Sequence, residues 1–64
     1  MKNNIKKYRE LRGLSQEDLS EKTGMPQSAL SRYERGEKKM ITDTAQTIAQ
    51  ALNITLDEMF EEND

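Results

Sequence analysis

The stretch TGMPQSALSRYERG, Thr23 to Gly36, places a lone proline two residues after a glycine and follows it with polar, apolar and basic residues at helical spacing. Glycine is the residue that best occupies the left-handed position just past a helix end, so a helix should stop at Gly24. Pro26 has the fixed φ of a helix start and no N–H to leave unpaired in a first turn, so a second helix should begin beside it. Leu30 and Tyr33 lie three apart and give that helix an apolar stripe. Ser28 and Arg32, one turn apart, then share the opposite, exposed face with Gln27. Two short helices joined by the tight turn TGMP form a helix-turn-helix.

The same punctuation recurs outward from this stretch. Gly13 and Gly36 each follow a helix-compatible segment, and Asn53 follows TAQTIAQAL. Helix starts agree with these stops: Ser15 can cap with Asp18, and Thr55 with Glu58, as capping boxes. Leu14 with Leu19, and Ile54 with Met59, occupy the positions of hydrophobic staples across those two starts. The spacing predicts an all-α chain of five short helices, over roughly 3–12, 16–23, 27–35, 43–52 and 56–61, forming a single domain over 1–64. The expected core takes Ile5, Tyr8 and Leu11 from the first helix, Leu19 from the second, and Leu30 and Tyr33 from the third. Ala45, Ile48, Ala49 and Leu52 follow on the fourth, with Leu56, Met59 and Phe60 on the last. The methionines serve there as gap-fillers.

A chain of 64 residues buries only about 60% of its unfolded surface, which leaves little room for a deep catalytic cleft. With no cysteine and no histidine, the sequence lacks disulfides, thiolate zinc sites and the commonest general base. No nucleophile with a base, metal cluster or phosphate loop is visible, so neither an enzyme nor a cofactor nor a metal is expected. No apolar run approaches the roughly 18 residues needed to span a bilayer, and a soluble cytoplasmic protein is expected. The net charge of −2 conceals segregation: residues 1–13 carry +4, 14–26 carry −2, 27–39 carry +2 and 40–64 carry −6. A basic face of this kind suits a phosphate backbone, although for each charge taken alone a solvated surface group is the better reading.

The ordered pieces IKKYRELRGLSQEDLSEKTG, SRYERG and IAQALNITLDEMF resemble the Cro/repressor-type, XRE-like helix-turn-helix family found in phage repressors and bacterial regulators. The resemblance covers nearly the whole chain and implies a lambda-repressor-like domain of five helices with the motif at helices two and three. Ser20 stands where the family has a small alanine, and its hydroxyl can bond back to a carbonyl one turn earlier. Pro26 replaces the usual Ser or Thr before the recognition helix. The loop EKKMITD lacks the family's proline and leucine, with Met40 and Ile41 as substitute apolar contacts.

The resemblance also implies the site. Gln27 and Ser28 fall where base-reading residues sit, and phage repressors with a Gln-Ser pair there use it on base edges; a Gln carboxamide can bond two groups of an adenine. Arg32 can fork onto guanine O6 and N7 or contact a phosphate instead. Ser31 belongs with this DNA-contacting set. Gln16 matches the glutamine that bonds a phosphate and buttresses the first glutamine of the recognition helix. Lys38, Lys39 and either Arg12 or Arg35 are expected on phosphates, with plain solvation as the alternative. Arg9 and Glu34 match an internal ion pair of the family. The implied function is a transcriptional regulator, a repressor, on an inverted-repeat operator in double-stranded DNA. It would act as a weak homodimer completed on DNA, through Met40 and Ile41 or the Met59–Phe60 end, with Phe60 rather than Met40 expected in the monomer core. The alternative is an antitoxin or protein-interaction adapter on the same fold, with the acidic end FEEND touching a protein partner.

Overall fold

The computed structural model describes residues 3–62, so Lys2 of the first basic block and Asn63 and Asp64 of FEEND lie outside the described residues. Helices α1 (Ile5–Leu11), α2 (Gln16–Thr23), α3 (Gln27–Glu34), α4 (Thr42–Leu52) and α5 (Leu56–Phe60) follow one another through short turns. Both capping boxes form. The Ser15 hydroxyl accepts from the Asp18 N–H at 3.0 Å while the Asp18 carboxylate accepts from the Ser15 N–H at 2.9 Å. Thr55 and Glu58 exchange the same two bonds at 3.0 and 2.9 Å. The helix ends close as the glycines and Asn53 imply. The N–H of Leu14 reaches Arg9 O at 3.0 Å, that of Glu37 reaches Arg32 O at 2.9 Å, and that of Ile54 reaches Ala49 O at 2.9 Å. Each bond spans a helix end and satisfies a carbonyl that the helix leaves over. Asn53 makes its turn at φ 56°, in the left-handed region that asparagine tolerates better than most residues.

The first helix begins at Ile5 rather than at residue 3, because Asn3 and Asn4 are used for tertiary bonds. Asn3 Nδ2 donates to Tyr33 O at 2.7 Å, and Asn4 Nδ2 donates to Glu58 O at 2.8 Å and Glu61 O at 2.7 Å. The Asn4 N–H adds a bond to Met59 O at 2.8 Å. These contacts tie the start of α1 to the ends of α3 and α5.

Helix α4 packs against α1, α2 and α5, while α2 and α1 both pack on α3. Ile5, Leu19, Leu30, Ile48, Leu52 and Met59 are wholly buried, and Tyr33, Ala45 and Ala49 nearly so. Two expected core members stay outside. Leu11 is 64% exposed, because α1 buries Ile5 and Arg9, four apart, and turns Leu11 to the other side. Phe60 is 36% exposed: the single turn of α5 aims Leu56 and Met59 inward, leaving Phe60 about 100° away from Met59. The order expected for Phe60 and Met40 is therefore reversed, since Met40 packs partly against the core. Ile41 caps α4 and is 67% exposed, so it does not replace the family's buried contact in that loop.

Two local expectations are also corrected. Ser20 does not bond backwards; its hydroxyl donates forward to Met25 O across the turn, and Thr23 Oγ1 makes the backward bond, to Leu19 O at 2.9 Å. Pro26 sits one residue outside α3 as its N-cap, at φ −63° and ψ 146°. Its carbonyl accepts from the N–H groups of Ala29 and Leu30, both at 3.1 Å.

Candidate nucleic-acid interface

The turn between α2 and α3 is held by its own side chains. Gly24 adopts φ 73° and its N–H bonds Ser20 O at 2.8 Å. Thr23 Oγ1 accepts from the Met25 N–H at 3.2 Å, and Ser20 closes on Met25 O from the other side. With this turn fixed and α2 packed on α3, the orientation of α3 is set by the core.

At about 100° per residue, Gln27, Ser31, Arg35, Ser28 and Arg32 fall within one arc of about 140° on α3 and its C-cap. Ala29, Tyr33, Leu30 and Glu34 fill the complementary arc. Leu30 and Tyr33 are buried and Ala29 packs against the core, whereas Gln27, Ser28, Arg32 and Arg35 are exposed and Ser31 half-buried. Among the described residues, the side chains of Gln27 and Ser28 carry no internal hydrogen bond. Beyond α3, Lys38 and Lys39 are exposed, and the Lys38 ammonium lies 5.4 Å from the centre of the Tyr33 ring. That cation–π contact holds Lys38 close to the end of the helix.

Behind the exposed face sits an ion pair. Arg9 Nε donates to Glu34 Oε2 at 2.7 Å and Nη2 donates to Oε1 at 3.2 Å, with the two side chains only 10% and 4% exposed. Arg9 Nη1 also donates to Leu14 O at 2.8 Å. The bond to Glu34 raises the Arg9 pKa from its ordinary value, so the guanidinium is permanently charged. Glu34 Oε1 accepts a third bond, from Gln16 Nε2 at 3.2 Å. Gln16 is thus linked to Glu34, not to Gln27; a carboxylate can only accept, which fixes which end of the Gln16 amide faces inward.

Comparison with known proteins gives the family and agrees with the fold. The helix-turn-helix family HTH_3 matches residues 5–59. The chain belongs to that family. Its members are DNA-binding transcriptional regulators. An uncharacterised HTH-type transcriptional regulator of Methanocaldococcus jannaschii is 33% identical over 60 residues, 94% of this chain and 91% of that protein. The restriction-modification controller protein C.AhdI of Aeromonas hydrophila has a similar structure, with a TM-score of 0.84 and 32% identity over 89% of this chain and 86% of that one. The SinR/SinI protein complex contains a chain that matches at a TM-score of 0.80 and 28% identity, over 92% of this chain and 58% of that one.

In this helix-turn-helix chain, Arg12 is engaged away from α3. Its Nε donates to Leu52 O at 3.0 Å and its Nη2 to Asn53 O at 3.4 Å, so it caps the C-terminus of α4, where a cation is favoured. Sequence reasoning missed Glu37. Arg35 forks onto it, Nε to Oε2 at 2.8 Å and Nη2 to Oε1 at 3.2 Å, while Nη1 bonds the Ser31 hydroxyl. The bond from Arg35 holds Glu37 below the ordinary carboxylate range, with the charges of Arg35 and Arg32 adding to the effect. The available signal was the turn itself, because a left-handed Gly36 folds the residue after it back towards α3.

Proposed function

We propose that the chain is a sequence-specific regulator, a repressor, that binds an inverted-repeat operator in double-stranded DNA as a two-fold pair. Helix α3 enters the major groove, with Gln27 and Ser28 on base edges and Arg32 on a guanine or a neighbouring phosphate. Gln16, Ser31, Arg35, Lys38 and Lys39 hold the backbone and set the register. The observation that carries the reading is the division of α3: its apolar arc is consumed by the core, and its other arc presents amide, hydroxyl and guanidinium groups to solvent. Repression follows from occupancy, since a bound helix in the groove excludes other proteins from the site.

The pairing has a dimensional argument. One recognition helix reads only a few base pairs, and successive major grooves on one side of the duplex lie about 34 Å apart. Each copy carries one such helix, α3, so one copy cannot occupy both grooves. The contact between copies uses exposed Ile41 together with Phe60, which with Met40 lines a shallow groove, and Met59 is excluded because it is buried. A protein partner at this same surface is the second reading, favoured by those two exposed apolar side chains and by the SinR/SinI complex among the structural relatives. The experiment is selection of bound sequences from a random DNA pool, followed by footprinting and sedimentation. An inverted repeat protected by two copies is expected; one copy protecting an asymmetric half-site with full affinity refutes the pairing.

A further inference from the structure

The fork between Arg35 and Glu37 contributes little to holding the fold. Both side chains are 54% exposed, and exposed pairs of this kind add little to stability. Its position is more telling than its strength. Arg35 stands on the outward arc of α3, one turn after Ser31, and Glu37 stands between it and the exposed Lys38 and Lys39. Residues 27–39 contain two carboxylates, and Glu34 is turned into the fold on Arg9, so Glu37 is the one acid left on the basic side of this segment. Backbone geometry puts it there: the Glu37 N–H is held on Arg32 O at 2.9 Å beyond the left-handed Gly36. The two parallel N–H···O bonds from Arg35 have the geometry with which a guanidinium grips a phosphate.

We infer that Glu37 is an internal stand-in for a DNA phosphate, occupying Arg35 in the free protein and lowering its affinity for DNA of any sequence. This rests on the reading of α3 as the DNA-facing helix. When a phosphate takes Arg35, one anionic partner replaces another, and the displaced carboxylate is left near the DNA backbone. The arginine therefore contributes little net attraction. Weak exposed pairing makes the exchange fast, and the competition lies in the charge term common to all sequences, so base readout by Gln27 and Ser28 is untouched. Neutralising Glu37 should convert Arg35 into a full phosphate contact. One extra contact steepens the dependence of log K on log salt by about 0.9, which at about 0.15 M salt corresponds to an affinity gain of about fivefold.

The test is DNA binding by the full chain, on its selected site and on random duplex DNA, across a salt series. Glu37→Gln should bind both DNAs about fivefold more tightly with the steeper slope, and its melting temperature should match the parent. In the Arg35→Ala background the same change should give only a small part of that gain, from the removed repulsion between the carboxylate and the DNA backbone. A parent-like slope for Glu37→Gln overturns the inference, as does a gain of the same size in the Arg35→Ala background, which would mean long-range repulsion rather than occupation of Arg35. If the parent binds its site and Glu37→Gln behaves identically, only this inference falls. A parent that binds no duplex DNA removes the reading of α3 and this inference together.

Discussion

Replacing Glu34 with alanine removes three bonds at once, two from Arg9 at 2.7 and 3.2 Å and one from Gln16 at 3.2 Å. Arg9 is then a nearly buried cation whose remaining partner is Leu14 O at 2.8 Å. Breaking a buried ion pair by deleting one side costs about 3–5 kcal/mol. The Arg9 side chain keeps 10% of its surface in water and keeps the Leu14 bond, which points to the lower end, about 3 kcal/mol. At about 0.05–0.15 kcal/mol per residue, the whole domain has only about 3–10 kcal/mol to lose. For a domain of this size each kcal/mol moves Tm by about 4–8 °C, so Glu34→Ala should melt about 12–24 °C below the parent. Thermal melts followed by circular dichroism measure this directly, with Glu34→Gln, which keeps an acceptor and the volume, expected in between. DNA affinity should fall only as folding does. A Tm within about 5 °C of the parent refutes the reasoning, and an unchanged Tm with lost DNA binding places Glu34 in the interface instead.

At Gly24, φ is 73° and an added Cβ meets nothing within 4 Å, so Gly24→Ala should cost only the left-handed strain, about 1 kcal/mol, read as a Tm drop of about 4–8 °C. A much larger drop would mean that the turn is also tightly packed. Asp18 has its pKa held below the ordinary 3.8, first by the bond from the Ser15 backbone. Its contribution is complete above the unfolded value and is lost as pH falls through the lower folded value, so acid melts of Asp18→Asn should show a smaller loss below about pH 4 than the parent. Equal acid sensitivity would remove the capping box as a source. Lys38→Ala and Lys39→Ala should weaken selected and random DNA alike and each lower the salt slope by about 1; a sequence-dependent loss would contradict their assignment to phosphates. Ile41→Ser should leave the monomer Tm unchanged and weaken pairing on DNA in sedimentation, whereas unchanged pairing would move the contact elsewhere.

Helix ends were the most legible part of this sequence, because left-handed glycines, Asn53 and capping boxes act within a few residues of chain. The motif was legible for the same reason, and so was the division of α3 into buried Leu30 and Tyr33 and exposed Gln27, Ser28 and Arg32. What escaped depended on partners distant in sequence. Asn3 and Asn4 look like helix residues until Tyr33, Glu58 and Glu61 are brought beside them. Leu11 and Phe60 satisfy apolar spacing, yet a short helix buries one narrow stripe, and Arg9 and Met59 take it. Arg12 looked like any surface cation, and only the fold sends it to the end of α4, 40 residues away.

The proposed reading of DNA sequence by α3 depends most on Gln27. The most direct measurement compares the parent with Gln27→Ala on the selected site and on random duplex DNA at equal salt. A loss of about 1–3 kcal/mol, about five- to 150-fold, is expected on the selected site, with binding to random DNA unchanged. Equal affinity of parent and Gln27→Ala for the selected site would contradict it.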